Sequence, residues 1–202
     1  MKTIINFVDL DVYNIKPHIR NEVPVIMVAA SIWPPKNTLG FLQAWKILND
    51  RGVCYTVEWY GLVDVCADYS KLCMQYIADN KLDNVQLLQK TQNIVDKYHK
   101  ADYLCLPSFY EGTPNVICEA IACGKPVICS NVCDNGIYVK ESYTGFLFDP
   151  FNPKDIAQKI ENAISVSDVE FYLMSSNCRK ISEEKFCKER FVTEYENIIK
   201  QL

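Results

Sequence analysis

Glycine, histidine and positive charge are scarce in this sequence, and each shortage excludes a class of protein. Seven glycines and nine prolines in 202 residues leave no low-complexity segment, and no internal repeat is visible, which argues against solenoids and propellers. The two histidines, His18 and His99, do not stand at ligand spacing from a cysteine pair, so we expect no metal site. A net charge of −4 without a basic cluster argues against a nucleic-acid partner.

Long apolar runs and closely paired cysteines are also missing. No apolar run reaches the roughly 18 residues of a membrane-spanning helix, and the N-terminus does not read as a signal peptide. Ten cysteines are present but none forms a C-x-x-C pair, so we expect reduced thiols and a cytoplasmic protein. Four cysteines fall in apolar runs and are expected to be small buried side chains: Cys54, Cys105, Cys118 and Cys129.

Short apolar runs alternate with segments of helical period along the chain. The runs are continuous and largely non-alternating, as in strands that are buried on both faces of a parallel sheet. They span residues 23–32, 53–60, 85–88, 103–106, 126–129 and 145–148. Helical stripes include Phe41, Trp45 and Leu48; Ile156, Ile160, Ala163 and Ile164; and Phe191, Tyr195, Ile198 and Leu202. This order predicts a doubly wound, Rossmann-like α/β domain with ligands at the carboxyl ends of the strands.

The turn after the fourth predicted strand has the features of an anion site. Thr113 is a favourable N-cap and Pro114 a favourable first helical residue, so we expect a helix to begin there. Its free N–H groups would carry partial positive charge, and Gly112 would let a diphosphate approach closely. Glu111 and Glu119 flank the helix start, and Asn115 shares the face of Glu119. Carboxylates there could accept sugar hydroxyls, or they could be ordinary solvated side chains.

The segment from Ser108 to Ser130 resembles the signature of retaining glycosyltransferases of family 4, which have the GT-B fold. The match includes two glutamates eight positions apart, Glu111 and Glu119, within an E-G-x-P-N and E-A-x-A-x-G-x-P-V frame. Further segments around residues 84–89, 98–102, 145–149 and 155–157 also resemble the family. The resemblance therefore covers nearly the whole chain and implies a C-terminal, donor-binding half of a GT-B enzyme.

The resemblance implies a role for each part of the site. Glu111 would contact hydroxyls of the donor hexose, and Glu119 those of the ribose. The backbone of Gly112, Thr113, Pro114, Asn115 and Val116 would lie against the diphosphate. Backbone groups of Leu88, Gln89, Lys90 and Thr91 would recognise the base. The donor would be a nucleotide-diphosphate sugar, with UDP- or GDP-sugar favoured, and neither a cofactor nor a metal ion is implied.

One family position departs from the usual pattern. Members usually hold the diphosphate with an Arg and a Lys in the first loop of this domain; Lys36 matches the Lys, but Ser31 stands in the place of the Arg. Losing one charge-assisted contact would weaken donor affinity by about ten- to a hundredfold unless another cation replaces it. Lys36 could also be simply a solvated lysine. With Glu111, it is our candidate catalytic residue, because charge builds on the leaving diphosphate during transfer.

The resemblance also predicts how the chain is divided. Residues 1–22 resemble an interdomain linker, residues 23–182 would be the nucleotide-sugar-binding domain, and residues 183–202 a C-terminal helix packing toward an N-terminal acceptor domain. That domain is expected to be missing, so this chain alone would bind donor without turnover, and membrane association would occur through the missing part. Two alternatives stay open: a degenerate GT-B-like binding module, and an enzyme that releases or isomerises a nucleotide sugar.

Overall fold

The computed structural model describes residues 6–64 and 66–200, and its centre is one six-stranded parallel sheet. The strands are β1 (Val25–Ala29), β2 (Thr56–Tyr60), β3 (Val85–Leu88), β4 (Tyr103–Leu106), β5 (Val127–Ser130) and β6 (Gly145–Phe148). Their order across the sheet is β3-β2-β1-β4-β5-β6. The chain thus winds outward in one direction from β1 and in the other direction from β4, so the topological switch point lies between these two strands.

Helices cover both faces of the sheet. They are α1 (Thr38–Asp50), α2 (Asp68–Asp79), α3 (Ile94–Lys100), α4 (Asn115–Ala122), α5 (Asn135–Tyr138), α6 (Pro153–Ile164), α7 (Asp168–Lys185) and α8 (Lys188–Ile199). A short 3-10 turn, Pro34–Lys36, precedes α1. The alternation of strand and helix confirms the doubly wound α/β prediction, because parallel neighbours need a crossover between them.

Each face of the sheet has its own apolar core. On one face, α1, α2 and α6 enclose a cluster that contains Phe41, Trp45 and Trp59, all without solvent exposure. On the other face, α3, α4, α5 and the later part of α7 enclose a cluster around Tyr98 and Ile121. All residues of β4 and β5 are buried, which explains why these strands read as uninterrupted apolar runs in the sequence.

The segment from Asn6 to Pro24 contains no helix or strand and lies against the domain. Its N–H at Val8 donates to the Phe186 carbonyl at 3.0 Å. Farther along, the Arg179 guanidinium donates to the Tyr13 carbonyl at 3.2 Å and to the Ala122 carbonyl at 3.1 Å. The predicted linker is thus held by α7 and the residue that follows it, and Arg179 of α7 also contacts the end of α4. The division of the chain at residue 22 stays a prediction.

The C-terminal helices differ in their bounds from the expected division. Residue 183 falls inside α7, which runs to Lys185, and the chain breaks at Phe186 before α8 begins at Lys188. None of the residues of α8 is buried, although the Phe191 ring lies 5.2 Å from the Phe7 ring. Leu202, expected in the apolar stripe of this helix, lies outside the described residues. The role of α8 toward a second domain stays a prediction.

Two local predictions were wrong. Cys54 was expected to be buried, but β2 begins two residues later and Cys54 is exposed; Cys105, Cys118 and Cys129 are buried as expected. The helix expected to begin at Pro114, with Thr113 as its N-cap, begins at Asn115 instead, and Pro114 occupies the N-cap position. Pro114 has no N–H, and its carbonyl accepts the Ile117 N–H at 2.9 Å as the first bond of the helix.

Candidate functional site

The loops that follow β1 and β4 meet at the switch point of the sheet. The Phe109 N–H, in the loop after β4, donates to the Pro35 carbonyl in the loop after β1 at 3.0 Å. Because the carboxyl ends of neighbouring parallel strands share one edge, two segments more than 70 residues apart become one surface. This surface carries most of the residues that the sequence nominated.

Lys36 and Glu111 form an ion pair across this surface. The Lys36 ammonium lies 2.7 Å from Glu111 Oε1, and the two side chains are 30% and 12% exposed, respectively. The topology brings both candidate catalytic residues to one point, immediately before the N-terminus of α4. In this arrangement the positive charge of Lys36 is offset by Glu111. The interaction is partly shielded from water, which makes it stronger than a surface pair.

The N-terminus of α4 lacks a side-chain cap. No side chain accepts a hydrogen bond from its first turn within the described residues. Its first N–H groups, those of Asn115 and Val116, therefore retain the partial positive charge of a helix start. Beside it, the space around Gly112 is open: no described atom lies within 4 Å of the point where a Cβ would be placed. The backbone here can approach an external group closely.

Glu119 is held on the side of α4 that faces α3. Tyr98, which is 1% exposed, donates its hydroxyl to Glu119 Oε2 at 2.9 Å. Burial raises the pKa of Glu119 above its usual value, and the hydroxyls of Tyr98 and Tyr13 partly counteract this by hydrogen bonding to the charged form. Burial, with Glu119 as the next contribution, raises the pKa of Tyr13 to about 12. The Tyr98 hydroxyl thus fixes one carboxylate oxygen, and the Glu119 side chain stays partly exposed to solvent.

Tyr98 and Tyr13 belong to the site although no sequence motif points to them. The helical spacing of Ile94 and Tyr98 predicts a buried ring on α3, and a buried tyrosine hydroxyl usually needs a polar partner. This need for a polar partner is the sequence feature that could have predicted the contact of Tyr98. No sequence feature predicts the contact of Tyr13, because its ring, 6.3 Å from the Tyr98 ring between centroids, is placed by an irregular segment.

A cavity of about 350 Å³ opens at the carboxyl ends of β1, β2 and β3. Ser31, Lys90 and Thr91 line it. Gly61 also lines it, and a Cβ there would lie 1.9 Å from the Ala30 carbonyl oxygen, so a larger residue would force the backbone to shift. The carbonyl of Leu88 accepts the Gly61 N–H at 3.1 Å, and base recognition by the backbone of residues 88–91 stays a prediction.

The remaining members of the predicted base region are arranged differently. The Thr91 hydroxyl accepts the Asn93 N–H at 3.1 Å. Gln89 is exposed and does not line the cavity. Within residues 6–64 and 66–200, no group of three or more His, Cys, Asp or Glu side chains could hold a metal ion. In the same residues, no helix is long and apolar enough to cross a membrane.

The family of group 1 glycosyl transferases matches residues 13–181 of this sequence. The chain belongs to this family. One relative is a UDP-Gal:alpha-D-GlcNAc-diphosphoundecaprenol alpha-1,3-galactosyltransferase from Escherichia coli, 32% identical over 157 residues. Another is an N,N'-diacetylbacillosaminyl-diphospho-undecaprenol alpha-1,3-N-acetylgalactosaminyltransferase from Campylobacter jejuni, 24% identical over 181 residues. The family match confirms the resemblance derived from the Glu111 and Glu119 frame.

Solved structures confirm the fold. HepE from Anabaena, crystallised with UDP, superposes with a TM-score of 0.88 at 21% identity over the full length of this chain. A glycosyltransferase from Rickettsia africae gives a TM-score of 0.87 at 20% identity over 97% of this chain. These neighbours are GT-B glycosyltransferases, so the sheet is that of one half of a GT-B fold.

The chain spans only about half the length of the proteins it matches. The aligned regions cover 77% of this chain but 40% of the Escherichia coli relative, and 88% against 46% for the Campylobacter jejuni relative. For the two structures, 57% of the Anabaena chain and 55% of the Rickettsia chain are covered. The matching proteins therefore contain a further half to which this sequence does not align.

Proposed function

We propose that this chain is the donor-binding half of a retaining glycosyltransferase of family 4 type, which transfers a hexosyl group from a nucleotide-diphosphate sugar to a glycan or lipid-linked acceptor. The observation that carries the proposal is the Lys36 and Glu111 ion pair, 2.7 Å long, at the uncapped N-terminus of α4. A cation, a carboxylate and free N–H groups at one switch point suit a ligand with both phosphates and hydroxyls.

In this proposal the ligand lies along the tip of α4. The diphosphate accepts hydrogen bonds from the backbone of residues 112–116 and from Lys36, and Glu111 accepts hydroxyls of the donor hexose. Glu119 accepts a ribose hydroxyl, while the base lies toward the backbone of Lys90 and Thr91. Donor binding thus separates Lys36 from Glu111, so that each residue exchanges its partner for a ligand group.

The catalytic contribution of these residues is electrostatic. Negative charge accumulates on the diphosphate as the bond to the anomeric carbon breaks. Lys36 and the N-terminus of α4 stabilise that charge because they are oriented before the reaction begins. Other reacting groups and the acceptor pocket belong to an N-terminal domain, and transfer requires the two halves to close. This chain alone binds donor without turnover.

The names of the relatives support a donor and an acceptor class. The Escherichia coli and Campylobacter jejuni relatives are named for diphosphoundecaprenol-linked acceptors, and the Anabaena structure contains UDP. We infer a UDP-sugar donor, with a GDP-sugar as the alternative, and a polyprenyl-linked acceptor in polysaccharide assembly. A cytoplasmic enzyme that works at the membrane surface fits such an acceptor.

Calorimetric titration with UDP, GDP and ADP tests the proposal. We expect one nucleotide to bind, and we expect Glu119→Gln to weaken it about tenfold by replacing an ionised acceptor with an amide. Glu161→Gln on α6 is the matched control. It removes a surface carboxylate that pairs with Arg51, and it should not alter binding. Failure of all three nucleotides at millimolar concentration would instead favour a degenerate binding module, the reading that Ser31 supports.

A further inference from the structure

The cavity at the ends of β1, β2 and β3 has an unbalanced positive charge. Its lining residues are Ala29, Ala30, Ser31, Tyr60, Gly61, Leu62, Lys90, Thr91 and Ile94. Lys90 is the charged member of this set, and no carboxylate belongs to it. Across the part of the chain that the structure describes, no carboxylate lies within ion-pair distance of the Lys90 ammonium, whereas Lys36 is paired with Glu111. Lys90 is also exposed to solvent.

A bound diphosphate would leave the described site with an excess of negative charge. Lys36 and Glu111 neutralise each other in the described arrangement, and Glu119 adds a further carboxylate that is partly buried. A diphosphate brings more than one additional negative charge. One lysine and one helix start face this total, so the site without a second cation would be electrostatically unfavourable for its proposed ligand. The exposed Ser31 hydroxyl contributes no charge.

We propose that Lys90 binds the diphosphate of the nucleotide from the side of β3, as the second cation of the site. The inference rests on the proposed function and assigns to the Lys90 side chain a role different from base recognition. Lys90 follows β3, and Ser31 follows β1, with Gly61 between them at the end of β2. Ser31 and Lys90 therefore open onto the same cavity, and Tyr60, Gly61 and Leu62 contribute the lining at the end of β2.

Two substitutions separate phosphate binding from base binding. Lys90→Gln keeps a long polar side chain but removes the charge, and Ser31→Arg returns a cation to the same cavity from β1. Lys100→Gln is the matched control. This exposed lysine is the last residue of α3 and lies just before β4 begins, at the amino ends of the strands and away from the cavity. Each protein is titrated with UDP, GDP and ADP and with the corresponding nucleosides, by calorimetry or by nuclear magnetic resonance for weak binding.

We expect Lys90→Gln to weaken the bound nucleoside diphosphate about tenfold and to leave the nucleoside within about twofold, because a charge-assisted contact to phosphate is lost. Adding Ser31→Arg to Lys90→Gln should restore most of the affinity, and Lys100→Gln should have no effect. A nucleotide that binds the unaltered chain and Lys90→Gln equally would overturn the role of Lys90 alone. Equal losses for nucleotide and nucleoside would likewise overturn it in favour of a base contact. If the unaltered chain binds no nucleotide, both this inference and the proposed function are wrong.

Discussion

His18 Nε2 lies 2.8 Å from Oδ1 of Asp102, a carboxylate with no solvent exposure at the start of β4. The same carboxylate accepts the Asn21 N–H at 3.1 Å, the Asn21 side-chain amide at 2.9 Å and the Val25 N–H at 2.8 Å. One buried side chain thus fixes the path of residues 18–25 as they enter β1. The last part of the predicted linker is therefore a structured part of the domain.

Replacing Asp102 should reveal this role through its dependence on pH. Burial alone would raise the pKa of Asp102, but hydrogen bonds from His18, Val25 and Asn21 outweigh it and hold the pKa below its usual value of 3.8. A lowered carboxylate pKa stabilises the fold above the unfolded value and loses that effect as the pH falls through the folded one. We expect Asp102→Asn to cost about 2 to 4 kcal/mol at pH 7, because donors then face an amide.

Urea unfolding at several pH values measures this cost. The difference between Asp102→Asn and the unaltered chain should shrink below about pH 3.8, as Asp102 takes up a proton. Asp83→Asn, at an exposed position, should change stability by less than about 0.5 kcal/mol. A difference that does not depend on pH would contradict the assignment of a charged Asp102.

Lys125 is a buried lysine whose charge opposes folding. It is 3% exposed, and its ammonium donates to the His99 carbonyl at 3.1 Å. Burial lowers the pKa of Lys125 to about 8, although Asp102 partly opposes the shift. We expect Lys125→Met to be more stable than the unaltered chain at pH 7 by roughly 1 to 3 kcal/mol.

The advantage of Lys125→Met should decrease as pH rises. Between the folded pKa, near 8, and the unfolded value of 10.5, the unfolded chain binds the extra proton, so the unaltered protein gains stability with pH through this group. Cysteines and tyrosines titrate in both proteins and cancel in the difference. Unfolding free energies of both proteins at pH 7, 8.5 and 9.5 measure this difference. A difference that stays constant with pH, or a Lys125→Met protein that is less stable at pH 7, would show that the charge of Lys125 does not oppose folding.

Replacement by alanine should weaken nucleotide binding at Gly112 and lower stability at Gly61. A Cβ at Gly112 meets no described atom, so Gly112→Ala should keep stability within about 0.5 kcal/mol while weakening nucleotide binding about tenfold, because the methyl group keeps the phosphate from the backbone. A Cβ at Gly61 would lie 1.9 Å from the Ala30 carbonyl oxygen, so Gly61→Ala should destabilise the fold. Thermal unfolding and UDP titration distinguish the two; unchanged nucleotide binding by Gly112→Ala would contradict the proposed position of the diphosphate.

The ion pair between Lys36 and Glu111 predicts different effects on UDP and on a UDP-sugar. Glu111→Gln frees the Lys36 ammonium, so affinity for UDP should be unchanged or should increase by about two- to fivefold, whereas the added affinity from the sugar of UDP-glucose should be lost. Lys36→Gln should weaken both ligands. Equal effects of Glu111→Gln on UDP and UDP-glucose would exclude a hexose contact at Glu111.

The fold could be predicted from the sequence because its strands are buried on both faces. Runs such as Tyr103–Leu106 have no polar interruption, and the alternation with helical stripes leaves few arrangements other than a doubly wound sheet. The elements were therefore found nearly in place. The bounds were less certain where capping decides them, as at Thr113, which precedes rather than caps the helix that begins at Asn115.

The geometry of the site could be predicted only in part. The two glutamates lie on one local segment, so their spacing is visible in the sequence. The Lys36 and Glu111 pair depends on β1 and β4 being neighbours, which sequence spacing does not determine. The contact from Tyr98 to Glu119 similarly depends on where α3 packs. The position of Lys90 in the lining of the cavity depends on where the end of β3 lies.

Amide resonances recorded while UDP is added, with GDP and ADP in parallel, locate the bound nucleotide residue by residue. We expect one nucleotide to shift the resonances of Ser31, Lys36, Lys90, Gly112, Asn115, Val116 and Glu119, while those near the His18 and Asp102 contact stay unchanged. Resonances that do not move with any nucleotide at millimolar concentration, or that move only around α7, would contradict a donor site at the tip of α4.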